Sequence, residues 1–343
     1  MQTSAFGIDL GTGNIKIYNN MDGSILDQKN MIAVQNKTTL FAYGDEAFDM
    51  YEKAPSNIRI SYPLTYGVIA DIKDMQEVLK CFITEITSKQ KYAGADFYIS
   101  VPKDITEVEK RAFYDLVKDS NVKAKKIMIV DKAIADGLGL DIDVKTSQGV
   151  MVVDVGFDTA EISILSLGGI VLSKLIKIGG RKFDSAIQAA VRKEFNLVIG
   201  GKTAEKVKIA ASTGKDSDEA SVVYGRDIVT GLPVERAIPT ELIDSALNEN
   251  IASIVENIKV ILERTPPELA ADIYRHGIYL TGGSAHLKNL DVLINKGTNL
   301  KVNLAENSQE SVANGLARII QDDNFKSLAY SIEGMSAKGS GIK

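Results

Sequence analysis

The chain has 343 residues, of which 45% are hydrophobic and 25% charged, and its formal net charge is −5 at pH 7. This acidic balance argues against a nucleic-acid partner, because nucleic-acid-binding surfaces concentrate Lys and Arg. The single cysteine, Cys81, excludes an intramolecular disulfide. With no apolar run long enough to span a bilayer and no N-terminal signal sequence, the chain is expected to be cytoplasmic.

The first half of the chain predicts a strand meander, a small irregular insertion and then alternating helices and strands. The meander covers residues 5–10, 15–19 and 24–35, and the insertion covers 36–70. Thr106 and Glu109 form a capping-box pattern, which predicts the start of a helix. The later elements are a helix at 72–86, a strand at 96–101, the helix from 106 to 118, a strand at 127–130 and a small-residue helix or turn at 131–140.

The second half predicts three strands, a mixed region and one long amphipathic helix. A strand at 278–280 enters Gly282-Gly283, and a helix is expected to follow. Residues 336–343 have the composition of a disordered tail. The other elements are strands at 149–155, 160–167 and 170–178, helices at 182–196 and 203–211, a polar loop at 214–219, a hairpin at 222–238 and a helix at 240–263 that Pro266-Pro267 ends.

A short pattern, an Asp and then a Gly at the end of an apolar run, occurs twice. Its copies are residues 8–13 and 153–158, and the second lies 145 residues after the first. The register continues beyond the pattern, since Ile17 corresponds to Ile162. In a chain of this length, a repeated strand–turn–strand unit predicts two lobes that face each other, each with its own core.

Three turns that contain Gly follow predicted strands, and together they predict nucleotide binding. Gly lets backbone N–H groups approach an anion, and a helix after the third turn would add its N-terminal dipole. None of the turns is a P-loop, because no Gly-Lys-Ser/Thr follows at the required spacing. The turns are Gly11-Thr12-Gly13-Asn14, Gly156-Phe157-Asp158-Thr159 and Gly282-Gly283-Ser284-Ala285.

Asp9 and Asp154 end the two repeated strands. Mg²⁺ is usually held by one or two carboxylates together with substrate phosphates, and it keeps several waters. The two Asp residues are therefore candidates to hold Mg²⁺ through water. The alternative is that each Asp caps its own turn by accepting backbone N–H groups.

The chain resembles the MreB family of bacterial actin homologues, within the superfamily of actin, sugar kinases and heat-shock-chaperone ATPases. The resemblance extends from about Phe6 to Ile320. The segments that carry it are Gly7-Ile8-Asp9-Leu10-Gly11-Thr12, Gly67-Val68-Ile69-Ala70-Asp71, Thr106-Glu107-Val108-Glu109-Lys110-Arg111, Ser166-Leu167-Gly168-Gly169-Ile170-Val171, Gly225-Arg226-Asp227-Ile228-Val229-Thr230-Gly231-Leu232-Pro233, Thr265-Pro266-Pro267-Glu268-Leu269-Ala270-Ala271-Asp272-Ile273 and Leu280-Thr281-Gly282-Gly283.

The resemblance implies the fold class: an α/β, actin-like ATPase fold. Two duplicated lobes of mixed sheet flanked by helices would form four subdomains around a nucleotide cleft. Lobe I is expected at 1–145, with a small insertion subdomain at about 30–70. Lobe II is expected at 146–323, with a small subdomain at about 181–240, and 324–343 would be a partly disordered tail.

The resemblance also implies a site for ATP and Mg²⁺. An acidic residue of the family orients the attacking water, and this role falls on Asp131, assisted by Thr159; Asp9 and Asp154 would hold the metal. The first phosphate loop is Gly11, Thr12, Gly13, Asn14 and Ile15; the second is Gly156, Phe157, Asp158 and Thr159; the adenosine side is Glu205, Lys206, Val207 and Lys208 with Gly282, Gly283, Ser284 and Ala285.

Several positions depart from the family pattern. Asp131-Lys132 stands where the family usually has Glu-Pro, and a carboxylate misplaced by ~1 Å can cost about 100-fold in rate. Phe157 and Asp158 replace glycines, and Asp158 can bind Mg²⁺, repel phosphate or point away. Ser284 also stands where the family usually has Gly. We expect slow ATP hydrolysis with nucleotide binding retained; the alternative is a pseudo-ATPase that binds nucleotide weakly or not at all.

The family assembles into paired protofilaments at the inner face of the cell membrane, where it organises cell-wall synthesis and rod shape. The resemblance therefore implies a homopolymer, a RodZ-like adaptor and the cell-wall synthesis machinery as partners. The expected membrane loop, 89–97, offers Tyr92 with Lys89 and Lys91, so we expect weak lipid binding. A solvated loop is the alternative.

Two other functions compete with a filament protein. The departures in the loops are compatible with a degenerate paralogue that acts as a scaffold or regulator. A small-molecule kinase of the same superfamily would need a substrate-binding insertion. The insertion at 36–70 is short and lacks an evident set of sugar-binding polar residues.

Overall fold

The computed structural model describes residues 4–88, 92–213 and 221–333. The strands are β1 (Ala5–Leu10), β2 (Asn14–Asn19), β3 (Ile25–Lys29), β4 (Ile32–Gln35), β5 (Thr39–Tyr43), β6 (Ile58–Ser61), β7 (Leu64–Thr65), β8 (Val68–Ile69), β9 (Ala95–Val101), β10 (Ala124–Asp131), β11 (Val150–Val155), β12 (Ala160–Ser166), β13 (Gly169–Ile176), β14 (Leu197–Val198), β15 (Ser221–Asp227), β16 (Pro233–Ile238), β17 (Ile278–Thr281), β18 (Val302–Leu304) and β19 (Ala329–Tyr330).

The helices predicted at 72–86, 106–118, 182–196, 203–211 and 240–263 are present close to those bounds, with the Thr106–Glu109 capping box, whereas those at Gly44–Met50, Pro267–His276 and Ser311–Gln321 were not predicted. The helices are α1 (Gly44–Met50), α2 (Ile72–Thr87), α3 (Glu107–Asp119), α4 (Lys132–Gly139), α5 (Gly180–Phe195), α6 (Gly201–Thr213), α7 (Thr240–Glu263), α8 (Pro267–His276), α9 (Leu290–Thr298) and α10 (Ser311–Gln321), with a 3-10 helix at Lys326–Leu328. None of the helices in the described ranges combines the length and apolarity needed to cross a bilayer.

The chain divides into two compact units. Unit 1 comprises 1–146, 166–170 and 310–343, and unit 2 comprises 147–165 and 171–309. The division near residue 146 lies beside the expected boundary at 145/146. Residues 310–323 belong to unit 1 rather than to the second lobe, because α10 packs on α4, β1 and β2.

Unit 1 is built on a six-stranded mixed sheet in the order β19-β10-β9-β1-β2-β3. The central strand β1 pairs antiparallel with β2 and parallel with β9, so that Asp9 lies opposite Lys16 on one side and Ser100 on the other. Side chains of the sheet, α2 and α3 form one apolar core, which includes Phe82, Phe97 and Phe113.

Unit 2 repeats this pairing in a five-stranded sheet of order β13-β12-β11-β17-β18. Its central strand β11 pairs antiparallel with β12 and parallel with β17, and Asp154 lies opposite Glu161 and Thr281. The two central strands are therefore equivalent, as the repeat in the sequence predicts. Helices α5 and α7 contribute to the apolar core of this unit.

Smaller sheets account for the expected insertion regions. They are ordered β5-β4-β6, β7-β8 and β14-β15-β16. The strand expected over 24–35 is in fact two strands of different sheets, β3 and β4. The Asn30 backbone N–H donates to the Gly13 carbonyl at 3.0 Å, one position beyond the Asn14–Lys29 pair, and from Ile32 the chain pairs instead with β5 and β6.

The C-terminal segment is ordered further than the sequence predicts. After the 3-10 helix, β19 pairs antiparallel with β10, with Tyr330 opposite Ile129. Residues 324–333 are thus part of unit 1. The predicted disordered tail at 336–343 and the predicted loop at 214–219 lie outside the described residues.

Helices α4 and α10 approach closely because glycines face backbone carbonyls. A Cβ on Gly315 would overlap the Ala135 carbonyl, and one on Gly139 would overlap the Ser311 carbonyl. Arg318 closes the same contact by donating from Nη1 to the Leu138 carbonyl at 2.7 Å. The packing therefore depends on the missing side chains at these two positions.

We expect Gly315→Ala to lower the free energy of unfolding by about 1–3 kcal/mol, because backbone overlap cannot be relieved by a rotamer change. This loss outweighs the roughly 1 kcal/mol by which Ala is the better helix former. The midpoint of urea unfolding measures the effect. Asn314→Ala, at the neighbouring half-buried position, is the control, and an equal midpoint for the two variants would contradict the close-packing argument.

Candidate functional site

Asn30 holds the first glycine loop, in unit 1, through two hydrogen bonds. The Nδ2 atom of this fully buried residue donates to the Gly11 carbonyl at 2.9 Å, and its backbone N–H donates to the Gly13 carbonyl at 3.0 Å. Asn14 is fixed separately, since its Nδ2 donates to Asp27 Oδ1 at 2.7 Å. The sequence analysis missed Asn30; a lone amide within the apolar run that follows β3 was the available signal.

Not every predicted residue of this loop can present a side chain to a ligand. Ile15 is fully buried in the core of unit 1, so only its backbone is available. Thr12 is also buried. Asp9 is buried as well, and its Oδ1 accepts a hydrogen bond from Ser100 Oγ at 3.1 Å.

The second glycine loop, in unit 2, is a closed connection between β11 and β12. The Gly156 N–H donates to the Thr159 carbonyl at 2.8 Å. The start of α5 then docks on the loop, because the N–H groups of Gly180 and Arg181 donate to the carbonyls of Gly156 and Phe157 at 3.0 and 2.7 Å. The first donors of α5 are therefore already used within the protein.

The two unusual residues of this loop are both contacted by Arg181, which the sequence analysis did not single out. The Asp158 side chain is fully buried, and Arg181 Nε lies 3.0 Å from its Oδ1. The guanidinium also lies over the Phe157 ring, 5.0 Å from the centroid. The negative charge introduced by Asp158 is thus paired inside unit 2.

The third loop is joined to the second by hydrogen bonds. The Ser284 N–H donates to the Val155 carbonyl at 2.8 Å, and its Oγ donates to the Gly156 carbonyl at 2.9 Å. Gly282 has φ +94°, and a Cβ there would overlap Asp154 Oδ1, so this position requires glycine.

The helix expected directly after Gly282-Gly283 is not formed. Residues 283–289 are turns, and α9 begins only at Leu290, after Asn289 with φ 61°. A left-handed residue at this point interrupts the helix. The predicted contribution of a helix N-terminus to this loop is therefore wrong.

The predicted adenosine residues of α6 differ in what they can do. Val207 is buried in the core, whereas Lys206 is exposed and Glu205 half-buried. Lys208 is almost fully buried, and its Nζ lies 2.8 Å from Asp184 Oδ1 and 3.2 Å from the Gly180 carbonyl. Lys208 is therefore engaged mainly in an internal ion pair that ties α6 to α5.

Asp131, expected to orient the attacking water, has partners on both oxygens. Tyr330 donates from its hydroxyl to Oδ1 at 3.2 Å, and Lys103 donates from Nζ to Oδ2 at 3.3 Å. Burial raises the pKa of the Tyr330 hydroxyl, and the charge of Asp131 raises it further. The other expected catalytic residue, Thr159, is half-buried at the end of the second loop.

Tyr92, in the predicted membrane loop, makes contacts within unit 1. Its ring packs on Phe6, with centroids 6.2 Å apart, and its hydroxyl donates to the Val122 carbonyl. Burial raises the pKa of Tyr92 to about 12. Tyr92 is half-buried, and Lys89 and Lys91 lie outside the described residues.

Comparison with known proteins identifies the family. The family described as MreB/Mbl protein matches residues 3–327. The chain belongs to the MreB/Mbl family. It is 38% identical to the cell shape-determining protein Mbl of Bacillus cereus over 320 residues, covering 92% of this chain and 95% of that protein. It is 33% identical to the cell shape-determining protein MreB of Escherichia coli K12 over 329 residues, covering 94% of each.

Solved structures confirm the actin-like ATPase fold of this MreB/Mbl chain. The crystal structure of MreB5 of Spiroplasma citri bound to ADP matches with a TM-score of 0.88 and 34% identity, covering 95% of this chain and 98% of that one. The MamK double helical filament matches with a TM-score of 0.76 at 22% identity, covering 93% and 99%, and shows the fold alone.

The two Asp residues predicted to hold Mg²⁺ in this MreB/Mbl chain lie in different units. Within the described ranges, no group of three or more His, Cys, Asp or Glu side chains is placed to hold a metal. Asp9 and Asp154 each offer hard carboxylate oxygens at the end of a central strand. A carboxylate of either kind suits Mg²⁺ when phosphates and waters complete the coordination of the ion.

We expect Lys208→Met to destabilise the protein by about 3–5 kcal/mol, because it leaves the buried Asp184 carboxylate without its cation. The double variant Asp184→Asn/Lys208→Met should recover much of this loss. Urea unfolding midpoints measure both, and Lys193→Met, at an exposed position of α5, is the control. A Lys208→Met midpoint equal to that of the control would show that the ion pair is not structural.

Proposed function

We propose that this chain binds ATP with Mg²⁺ and polymerises into cytoskeletal filaments that help set rod cell shape by organising cell-wall synthesis. The observation that carries the proposal is the duplicated central strand, which has an Asp near its carboxyl end and is followed by a hydrogen-bonded glycine loop in each unit. MreB5 of Spiroplasma citri, which is 34% identical, has been crystallised with ADP and with AMPPNP.

In this proposal the phosphates contact backbone N–H groups of Gly11 to Asn14 and of Gly156 to Thr159. Glu205, Lys206 and the loop of Gly282 to Ala285 contact the adenosine side. Gly283 suits this role because a Cβ there would meet no atom within 4 Å. Asp9 and Asp154 would hold Mg²⁺, which neutralises phosphate charge when it is bound.

We propose that hydrolysis is slow. A carboxylate that orients water needs an oxygen lone pair directed at that water. Each oxygen of Asp131 already accepts a hydrogen bond, from Tyr330 or from Lys103, and the side chain is one methylene shorter than Glu. These contacts support weak activation of water, while the loops that bind phosphate are unaffected.

Self-association is proposed from family membership and from the fold, since MamK, a protein of the same fold, forms a double helical filament. Head-to-tail contacts that do not close produce filaments. We propose weak association with the inner membrane face, assisted by a RodZ-like adaptor and the cell-wall machinery, on family membership alone. The second candidate, a non-polymerising scaffold, is favoured by Phe157 and Asp158 in the second loop.

Negative-stain microscopy of the purified protein with ATP and Mg²⁺ is the direct test. We expect filaments, with steady-state phosphate release slower than that of Escherichia coli MreB assayed alongside. Absence of filaments across salt concentrations and lipid additions would favour the scaffold. Equal phosphate release by the two proteins would contradict slow hydrolysis while leaving polymerisation intact.

Asn30→Ala should weaken ATP binding roughly 3- to 10-fold, because one hydrogen bond of about 0.5–1.5 kcal/mol no longer holds the first loop. Titration of a fluorescent ATP analogue measures the change. Lys29→Ala is the matched control, since the Lys29 ammonium lies over the Phe48 ring instead of contacting the loop. Equal affinities for the two variants would mean that Asn30 does not position the loop.

A further inference from the structure

The second phosphate loop contains a feature that is unfavourable for an anion site: a buried carboxylate. Asp158 is fully buried at its side chain and lies two residues after Gly156. A charge in a region of low dielectric acts on other charges more strongly than it does in water. Without a compensating cation, this carboxylate would repel a bound polyphosphate.

Arg181 provides that cation, and three separate contacts hold it to the loop. Its backbone N–H donates to the Phe157 carbonyl at 2.7 Å, its Nε lies 3.0 Å from Asp158 Oδ1, and its guanidinium lies 5.0 Å from the centroid of the Phe157 ring. Arg stays protonated at any ordinary pH, and its planar group can stack on a ring while it pairs with a carboxylate. A single residue thus contacts both side chains that replace the usual glycines.

The start of α5 packs directly against the loop. A Cβ on Gly179 would lie 2.7 Å from the Gly156 carbonyl oxygen, so backbone packs directly on backbone. A Cβ on Gly180 would lie 3.2 Å from Ser284 Oγ and 3.4 Å from the Phe157 ring. The position of Arg181 is therefore fixed, and the Phe157 ring lies next to the third loop.

We propose that Arg181 is a positioning residue that sets the affinity of this protein for polyphosphates by neutralising Asp158 and holding Phe157. The inference rests on the proposed binding of ATP and adds a residue to it. Glycines at positions 157 and 158 would leave open space for phosphate. In this rigid loop the Arg181–Asp158 ion pair stands in that place. Its effect must scale with the charge of the ligand, which distinguishes it from a purely structural contact.

The test compares ATP, ADP and adenosine by calorimetric titration of the full chain with Mg²⁺. Arg181→Gln should weaken ATP binding at least about tenfold, ADP binding less and adenosine binding little, because the charge of Asp158, no longer neutralised by Arg181, repels phosphate. Asp158→Asn alone should bind ATP as well as the wild type or more tightly. The double variant should return to within about threefold of the wild type, and Arg181→Lys should retain most of the affinity.

The controls separate this inference from the proposed function. Arg192→Gln removes an exposed arginine from the same helix and should leave all three affinities unchanged. If the wild type binds ATP and Arg181→Gln weakens adenosine as much as ATP, or the double variant shows no recovery, the role of Arg181 is overturned. If neither the wild type nor Asp158→Asn binds ATP or ADP, both the proposed function and the role of Arg181 are overturned. If Arg181→Gln does not fold, the affinities of the double variant and of Arg181→Lys are compared with those of the wild type instead.

Discussion

The central strand of each unit is hydrogen-bonded on both sides, and the rest of the structure depends on this constraint. Every residue of β1 and of β11 is buried. A polar group on such a strand must find a partner inside the protein, because an unpaired buried polar group is costly. Polar residues therefore lie near the carboxyl ends, where Asp9 and Asp154 are each the last but one residue before a loop that can complete the hydrogen bonding.

The two loops satisfy this requirement by different means, although their strands are equivalent. A buried amide, that of Asn30, fixes the first loop through its carbonyls. In the second loop, α5 donates its first N–H groups to the carbonyls, and Arg181 pairs with the buried Asp158. Both arrangements are rigid, and rigidity before binding reduces the entropy lost when a ligand is held. The duplicated fold thus accommodates unequal loop chemistry.

Much of the fold was predictable because it depends on local periodicity. Helices α2, α3 and α7 lie close to their predicted positions, since apolar residues at helical spacing and a capping box are local signals. The repeat predicted the equivalent pairing of β1 and β11 for the same reason. The split of β3 from β4 and the turns after Gly283 were missed, because the pairing of β4 with β5 and β6 and the left-handed Asn289 before α9 override the local preference.

The sequence by itself determined the family, the long helices, the duplication and the positions of the glycine loops, because each is a pattern within a short stretch or a repeat of one. Only the tertiary structure decided the partners of the polar side chains. Asp131 contacts Tyr330, a residue 199 positions away, and the ring of Tyr92 packs on Phe6. Such contacts depend on which strands the sheet places side by side. No local pattern specifies that arrangement, because it results from the packing of the whole unit.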